Sequence, residues 1–321
     1  MSHQPPLVSI VIPCFNATRY IPETLNSLRA QTFRDFETIL VNDGCPDTEN
    51  LERVLEPYRD EIVYLKSGAW ASISGSRNNG INASRAKYIS LLDADDIFEP
   101  EYLSVMVGKL EADPGIDLVY SDATYFGGSP WDGRTFMTMN PVEGEVTLEK
   151  LITRECTIFI SVTARRESLI RAGLFDTQVR GGEDWDLWMR VVRTGGKIVY
   201  DRRSLVRYRV RMGSMSSDKL DLLRNGLTVC QKYLAMSDVA GEERRLFEAT
   251  AARYRANTDL VMGKQALYAG RRAEAIDLLS RANQTLNEKQ VALAIVALRL
   301  FPRLLHWYVR RRYPTEYVYL H

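Results

Sequence analysis

Three aspartates, Asp93, Asp95 and Asp96, follow a short apolar segment of the chain. The residues before them, 87–92, are rich in β-forming side chains and predict a buried strand. A strand that ends in Asp-x-Asp places its carboxylates at the carboxyl edge of a sheet, where open α/β folds bind ligands. Gathered carboxylates need compensation, and a divalent cation that carries phosphates is a common partner. Acidic turns are also common on solvated surfaces, so the motif needs support from other parts of the chain.

Polar residues also follow the first two predicted strands, residues 7–12 and 36–41. Pro13 and Asn16 come after the first strand, and Asp43 comes after the second within an Asn-Asp-Gly sequence. Because parallel strands end at one edge of a sheet, these residues and the three aspartates are expected to face one crevice. Asp43 could accept a hydrogen bond from the imide N–H of a pyrimidine base, although Asn-Asp-Gly is also an ordinary tight turn.

Arg77 and Asn78 lie in a predicted helix, residues 74–85. The arginine offers a fork of donors to a phosphate or a base, and the asparagine can anchor neighbouring loops. A capped helix with a solvated arginine explains the same residues without a ligand.

Two acids, Glu183 and Asp184, follow the pair Gly181-Gly182 at the start of another amphipathic helix. Acids in the first turn are favourable to the helix dipole, which is one explanation of their position. The paired glycines favour a close approach of another group to the backbone. Glu183 and Asp184 are therefore the candidates for a general base.

Composition narrows the classes of function. The chain has 321 residues and a formal net charge of +1, which gives no reason to expect a nucleic-acid partner. Its four cysteines are widely spaced, which suits a reducing compartment, and the first residues lack the pattern of a signal peptide. A cytoplasmic protein is expected. No histidine lies between residues 4 and 305, so a Ser-His-Asp site and a multi-histidine metal site are excluded from the main body.

The pattern of elements divides the chain in two. Strand-like and helix-like segments alternate up to about residue 216, which predicts an α/β domain with a mostly parallel sheet over residues 1–217. Residues 121–145 are rich in glycine and proline and are expected to form an irregular lid or acceptor loop. Residues 218–321 are expected to form a helical region, in which one hairpin faintly resembles a tetratricopeptide unit.

The last predicted helix, residues 303–312, mixes aromatic and aliphatic residues with four arginines. A helix of this kind can lie on an anionic membrane surface, which would make the protein peripheral to the inner face of the membrane. The same pattern fits a helix docked on its own catalytic domain, and the sequence leaves both interpretations open.

Taken together and in this order, the motifs resemble those of an inverting family 2 glycosyltransferase of GT-A fold. The resemblance covers about residues 7–216 and rests on these segments: Pro13-x-x-Asn16, Asn42-Asp43-Gly44, Arg77-Asn78-x-Gly80-Ile81, Leu92-Asp93-Ala94-Asp95-Asp96 and Glu183-Asp184-Trp185.

The resemblance implies an enzyme that moves a sugar from a nucleotide-sugar donor, commonly a UDP-sugar, to a hydroxyl of a carbohydrate or lipid-linked acceptor. The product would belong to a cell-surface polysaccharide or glycolipid, and the cofactor would be Mn²⁺ or Mg²⁺. Asp95 would hold the metal, and Asp184, with Glu183 beside it, would be the catalytic base. The donor-binding residues would be Pro13, Asn16, Asp43, Arg77, Asp93, Ala94 and Arg211.

Arg211 departs from the family pattern, because many relatives have a histidine there that can bind the metal. Arginine does not bind metals, so Arg211 is expected to pair with the diphosphate instead. Two other enzyme classes lack their signatures here, since no glycine-rich loop of a dehydrogenase or a nucleotidyltransferase follows the first strand. The remaining alternative is a non-catalytic GT-A-like scaffold that acts through its helical tail.

Overall fold

The computed structural model describes residues 4–67, 72–211 and 218–312, and the chain forms two compact units that divide after Arg211. The division predicted from the sequence came after residue 217, and residues 212–217 lie outside the described residues. The fold is of the predicted α/β class with a mostly parallel sheet, followed by a helical region.

The described residues of the first unit form one sheet of eight strands. The strands are β1 (Val8–Cys14), β2 (Phe36–Asn42), β3 (Ile62–Lys66), β4 (Tyr88–Leu91), β5 (Ile97–Phe98), β6 (Ile116–Phe126), β7 (Val162–Arg165) and β8 (Lys197–Arg209). Their order in the sheet is β3-β2-β1-β4-β7-β6-β8-β5. The strands β3, β2, β1 and β4 run parallel, as do β6 and β8, whereas β7 is antiparallel to both of its neighbours.

Helices connect these strands on both faces of the sheet. They are α1 (Ile21–Arg29), α2 (Thr48–Leu55), a 3-10 helix (Glu56–Glu61), α3 (Ile73–Ala83), α4 (Tyr102–Ala112), α5 (Phe136–Met139), α6 (Leu148–Thr153), α7 (Arg166–Arg171) and α8 (Glu183–Arg193). The strands β1, β2 and β4 have almost wholly buried side chains, as expected for parallel strands covered on both faces.

The sequence did not predict β7 and β8, and it ended β6 too early. The predicted end of β6 was Tyr120, but the strand continues to Phe126 because β8 pairs with it along its length, from Ile116 opposite Lys197 to Phe126 opposite Arg209. The predicted irregular connection is therefore shorter, and it contains the short helix α5.

Gly80 sets the position of α3 against the sheet. A Cβ atom at this position would lie 2.4 Å from Cγ1 of Val11 on β1, so only glycine allows this approach. The close packing brings α3, which carries Arg77, against the strand whose carboxyl end forms the crevice.

The second unit consists of helices: α9 (Lys219–Leu234), α10 (Gly241–Tyr268), α11 (Arg272–Leu286), α12 (Lys289–Leu300) and α13 (Pro302–Arg312). The predicted hairpin is present, since α10 and α11 pack through a small apolar core that includes Ala266, Ala275 and Leu279. Within the described ranges, none of the helices is long and apolar enough to cross a membrane.

Candidate active site

The carboxyl ends of β1 and β2 meet as predicted. The backbone N–H of Asp43 donates to the carbonyl of Cys14 at 3.1 Å, and Asp43 is buried. Asn16 is exposed with a φ of 51°, and its backbone N–H donates to Sγ of Cys45 at 3.3 Å. These contacts fix the two loops that carry Asn16 and Asp43 against each other.

Cys45 is the centre of this loop contact, which the sequence did not indicate. Its thiol donates to Oδ1 of Asp47 at 2.9 Å. A hydrogen bond with Cys14 lowers the pKa of Cys45 to about 6, whereas the same contact and burial raise the pKa of Cys14. The two thiols therefore help to connect the ends of β1 and β2.

Arg77 is a deeply buried charged group of the crevice, with 2% of its side chain exposed. Its Nη2 donates to Oδ1 of Asp93 at 2.8 Å, and its Nη1 donates to Oε1 of Glu183 at 2.7 Å. Burial acts against the charge of the guanidinium, but the two carboxylates outweigh it and raise the pKa of Arg77. One arginine thus joins the acidic loop after β4 to the start of α8.

Asn78 anchors a neighbouring loop, as the sequence predicted. Its amide donates to the carbonyl of Phe175 at 2.8 Å and accepts from the backbone N–H of the same residue at 2.9 Å. Because Asn78 follows Arg77 in α3, this pair of bonds holds the chain leading to α8 beside the crevice.

Arg211 offsets the negative charge of Asp95 in the acidic loop after β4. Oδ2 of Asp95 lies 2.7 Å from Nε of Arg211, and Nη1 of the same arginine donates to the carbonyl of Asn16 at 3.2 Å. Burial, followed by the charge of Asp93, raises the pKa of Asp95. The loop and the end of β1 are therefore joined through Arg211.

Asp96 is almost completely buried. Its Oδ1 accepts from the backbone N–H of Arg209 at 2.8 Å, while burial and the two neighbouring aspartates raise its pKa strongly. Its backbone carbonyl and that of Ala94 accept hydrogen bonds from the hydroxyl of Thr24. Asp96 and Ala94 therefore fix the shape of the loop that presents Asp93 and Asp95.

Glu183 and Asp184 begin α8, immediately after two glycines with left-handed backbones. The φ angles are 78° at Gly181 and 79° at Gly182, so the turn itself requires glycine and explains the pair. Glu183 is buried against Arg77, whereas Asp184 is half-buried. Burial, followed by the charge of Glu183, raises the pKa of Asp184 to about 6. Asp184 can therefore take up a proton near neutral pH, while Glu183 is held by an ion pair.

The structure brings the predicted residues to one edge of the sheet. Direct contacts form two groups: Arg77 joins Asp93 and Glu183, and Arg211 joins Asp95 and Asn16. The groups are linked through the acidic loop, and Asp184 is next to Glu183 in the chain. Pro13 is buried at the end of β1. Within the part of the chain that the structure describes, no group of three histidine, cysteine or acidic side chains surrounds a metal position.

Two arginines of the site were not singled out from the sequence. Arg209 donates from Nε to the carbonyl of Asp95 at 2.8 Å, and its guanidinium lies 4.2 Å from the ring centre of Phe126. Arg209 ends β8 and stands two residues before Arg211, and this spacing was the signal in the sequence, because residues two apart share a side in an extended chain. Arg154 lies near Asp184 and lowers its pKa, but its sequence context gives no such signal.

Comparison with known protein families agrees with the residues found in the crevice. A family model described as Glycosyl transferase family 2 matches residues 9–177, which is more than half of the chain. The chain belongs to glycosyltransferase family 2. The family is the one that the motifs resembled, and the activity of a glycosyltransferase follows from it.

Relatives agree with this assignment. An uncharacterized glycosyltransferase of Methanocaldococcus jannaschii is 27% identical over 211 residues, which cover 64% of this chain and 71% of that protein. Glycosyltransferase GlyA of Streptococcus pneumoniae is 26% identical over 260 residues, which cover 71% of this chain and 36% of that protein.

Solved structures share the fold. The crystal structure of S. aureus TarS 1-349 in complex with UDP has a TM-score of 0.60 and 17% identity, over 95% of this chain and 91% of that chain. The mannosyltransferase PcManGT from Pyrobaculum calidifontis, in complex with GDP-Man and Mn²⁺, has a TM-score of 0.61 and 17% identity, over 97% of this chain and 88% of that chain. At this identity the likeness establishes the fold alone.

Proposed function

We propose that this glycosyltransferase moves a sugar from a UDP-sugar to a hydroxyl of a carbohydrate or lipid-linked acceptor, with inversion at the anomeric carbon. The product would belong to a cell-surface polysaccharide or glycolipid. The observation that carries the proposal is the pair of contacts made by Arg77, which hold the acidic loop and the start of α8 together. Those two segments would carry the donor and the catalytic base.

Asp184 is the proposed base. Its pKa of about 6 leaves it mostly ionised at neutral pH, yet basic enough to accept the proton of an acceptor hydroxyl. The hydroxyl oxygen then forms a bond to the anomeric carbon while the bond to the diphosphate oxygen breaks. A base positioned in this way typically contributes about 10²–10⁴-fold to the rate.

Glu183 and Arg77 are proposed as positioning residues. Glu183 is held by the buried guanidinium of Arg77, so its carboxylate is already engaged and is the weaker candidate for proton transfer. Arg77, which has 2% of its side chain exposed, would act on the donor through Asp93 rather than by contact with the nucleotide.

The donor is proposed to lie across the carboxyl ends of β1, β2 and β4. Asp43 would face the base, with Pro13 and Asn16 beside it, and Asp93 and Ala94 would face the ribose. TarS was crystallised with UDP and with UDP-GlcNAc, and PcManGT with GDP-Man, which supports a nucleotide-sugar as the donor.

The family resemblance also implies Mn²⁺ or Mg²⁺, and the residues present fit such an ion. Asp95 offers a hard carboxylate beside Asp93. Burial, followed by the charge of Asp93, raises the pKa of Asp95, and a cation would offset both effects. These ions are often held by one or two carboxylates together with phosphate oxygens, so Asp95 and the diphosphate would be the ligands. The ion would neutralise charge on the leaving diphosphate. Arg211, which pairs with Asp95 in the structure, would pair with the diphosphate instead.

The second unit is proposed to contact an anionic membrane surface, which would place the protein at the cytoplasmic face. Residues 289–312 contain six lysines and arginines and no aspartate or glutamate. Large apolar side chains on this stretch are exposed by about half or more: Leu293, Val296, Leu300, Phe301, Leu304 and Trp307. Basic and apolar groups side by side suit a surface of anionic lipids.

Vesicle binding tests this contact. Removal of residues 303–321 should reduce binding to anionic vesicles and leave the weak binding to neutral vesicles unchanged. Unchanged binding to anionic vesicles would favour a helix that serves only to pack against α10, where His306 Nδ1 lies 3.1 Å from the carbonyl of Leu267.

The donor proposal is tested by thermal unfolding with UDP, GDP, TDP and CDP, each with and without Mn²⁺. A ligand at about 100 times its dissociation constant adds about 2.7 kcal/mol to the free energy of unfolding. At roughly 2–4 °C per kcal/mol, the midpoint should rise by several degrees. A shift with UDP and Mn²⁺ supports the proposal. No shift with any nucleotide would favour the alternative, a non-catalytic scaffold that acts through its helical tail.

A further inference from the structure

A cavity of about 340 Å³ lies outside the crevice described above, since none of the crevice residues lines it. Its lining comes from the connection after α5 and from the end of α6: Met139, Asn140, Pro141, Arg154, Glu155 and Thr157. The volume is at the lower end of the range for small-molecule sites. Arg154 connects the cavity to the base, because its guanidinium stacks on Trp185, the residue after Asp184, and its charge lowers the pKa of Asp184.

The backbone of Arg154 has an unusual conformation. Arg154 ends α6 with a φ of 63° and a ψ of 21°, a left-handed conformation that glycine adopts at lower cost. For an arginine this conformation costs about 1 kcal/mol or more, and such residues often occur at functional sites. The turn directs the chain from α6 into the cavity wall formed by Glu155 and Thr157.

The guanidinium of Arg154 is held in place by a rigid aromatic ring. Its Cζ lies 4.8 Å from the ring centre of Trp185, which is 3% exposed. The indole Nε1 donates to the carbonyl of Leu151 at 2.8 Å, so the ring is fixed from its other edge. This stacking orients the guanidinium but uses none of its N–H donors.

The guanidinium of Arg154 has no directly bonded partner among residues 4–67, 72–211 and 218–312. The guanidinium makes no ion pair within 4.0 Å and no hydrogen bond to these residues, unlike Arg77, Arg209 and Arg211. An arginine that is half-buried, oriented and unpaired beside a cavity is suited to bind a carboxylate or phosphate with two parallel hydrogen bonds.

We propose that this cavity is an acceptor subsite for an anionic group, a carboxylate or a phosphate, on a hydroxylated acceptor, with Arg154 as the residue that selects it. The inference rests on the proposed transferase function. The other polar residues of the cavity, Asn140, Glu155 and Thr157, suit hydroxyl groups, and Glu155 would accept hydrogen bonds from them. Met139 and Pro141 offer an apolar surface to the C–H face of the same molecule.

Binding of small probes to the full chain, saturated with UDP, tests this subsite. The probes are glycerol 3-phosphate and glucuronate, with glycerol and glucose as their neutral counterparts. Their binding is measured by NMR titration. Arg154→Gln is expected to lower the affinity for the bound anionic probe by about tenfold or more. The affinity for the neutral probes should stay unchanged. Arg154→Lys, which keeps the charge but not the fork, should lose part of the affinity.

Arg85→Gln is the matched control. Arg85 is exposed and lies just before β4, at the end of the strand opposite to the crevice, so the same change of charge should leave all four probes unaffected. Dependence on Arg154 with glycerol 3-phosphate alone would identify a phosphate, and with glucuronate alone a carboxylate.

Two results would overturn the subsite. One is equal affinity of the anionic probes for the wild type and Arg154→Gln, and the other is no binding of either anionic probe to a protein that binds UDP. The affinity for UDP, measured in the same samples, reports separately on the proposed function. A wild-type chain that does not bind UDP would contradict that function and the subsite with it.

Discussion

Replacement of Arg77 by methionine is expected to destabilise the catalytic unit strongly. The guanidinium is almost completely buried and joins Asp93 to Glu183 through bonds of 2.8 and 2.7 Å. Methionine fills much of the same space but leaves both carboxylates without their cation. The Glu183 side chain is only 9% exposed, so water compensates poorly for the loss, whereas Asp93 is 26% exposed and suffers less.

The expected magnitude follows from this burial. Breaking a buried ion pair by removal of one partner costs about 3–5 kcal/mol, because the remaining charge is left without compensation. At about 2–4 °C per kcal/mol for a unit of this size, the midpoint of thermal unfolding should fall by roughly 6–20 °C. Most of the loss should come from Glu183.

A double-mutant cycle measures the coupling free energy between Arg77 and Glu183 directly. Glu183→Gln combined with Arg77→Met should recover a large part of the loss, because the carboxylate that was left unpaired is now neutral. Arg85→Met, at an exposed position, should change the free energy of unfolding by less than about 0.5 kcal/mol. A loss below about 1 kcal/mol for Arg77→Met, or simple additivity in the double mutant, would refute the structural role of Arg77.

Three further predictions concern the base, the packing of α3 and the metal. The rate of transfer should fall as the pH drops through about 6, because the pKa of Asp184 is raised to about 6 and only its ionised form accepts a proton. A rate that is flat from about pH 8 to about pH 5 would contradict this. Gly80→Ala should lower the free energy of unfolding by about 1–3 kcal/mol, since its Cβ would lie 2.4 Å from Val11, whereas Gly108→Ala, with open space around it in α4, should raise it by about 0.5–1 kcal/mol. Asp95→Ala should weaken UDP binding chiefly when Mn²⁺ is present, as calorimetry can measure, and equal weakening in the presence of a chelator would contradict a metal role.

The sequence predicted the parts of the fold that rest on local pattern. The apolar segments of β1, β2 and β4 and the polar residues directly after them are contiguous in the chain, so the edge of the sheet that carries Asn16 and Asp93 could be predicted. The strand β7 has only four residues, and β8 carries several arginines, so their apolar patterns were too weak. Both strands depend on pairing with β6, which is a contact between distant segments.

In the candidate site, too, contacts between distant segments could not be predicted from the sequence. The types of residue at the strand ends predicted donor chemistry, but the sequence left Arg77 as a contact of the nucleotide or a solvated side chain. In the structure it is buried against Glu183, which is 106 residues away in the chain. Neither that pair nor the stacking of Arg154 on Trp185 has a local signal, because each depends on how α8 packs against other elements.

Asp184→Asn tests whether Asp184 is the base of an inverting glycosyl transfer. The amide keeps the size of the side chain but accepts no proton, so UDP should bind with nearly unchanged affinity while transfer from the UDP-sugar is lost by about 10²-fold or more. Both quantities can be measured on the same preparation, by calorimetry and by release of UDP in the presence of acceptor. Transfer at the wild-type rate, or loss of UDP binding together with transfer, would contradict the role of Asp184 as the base.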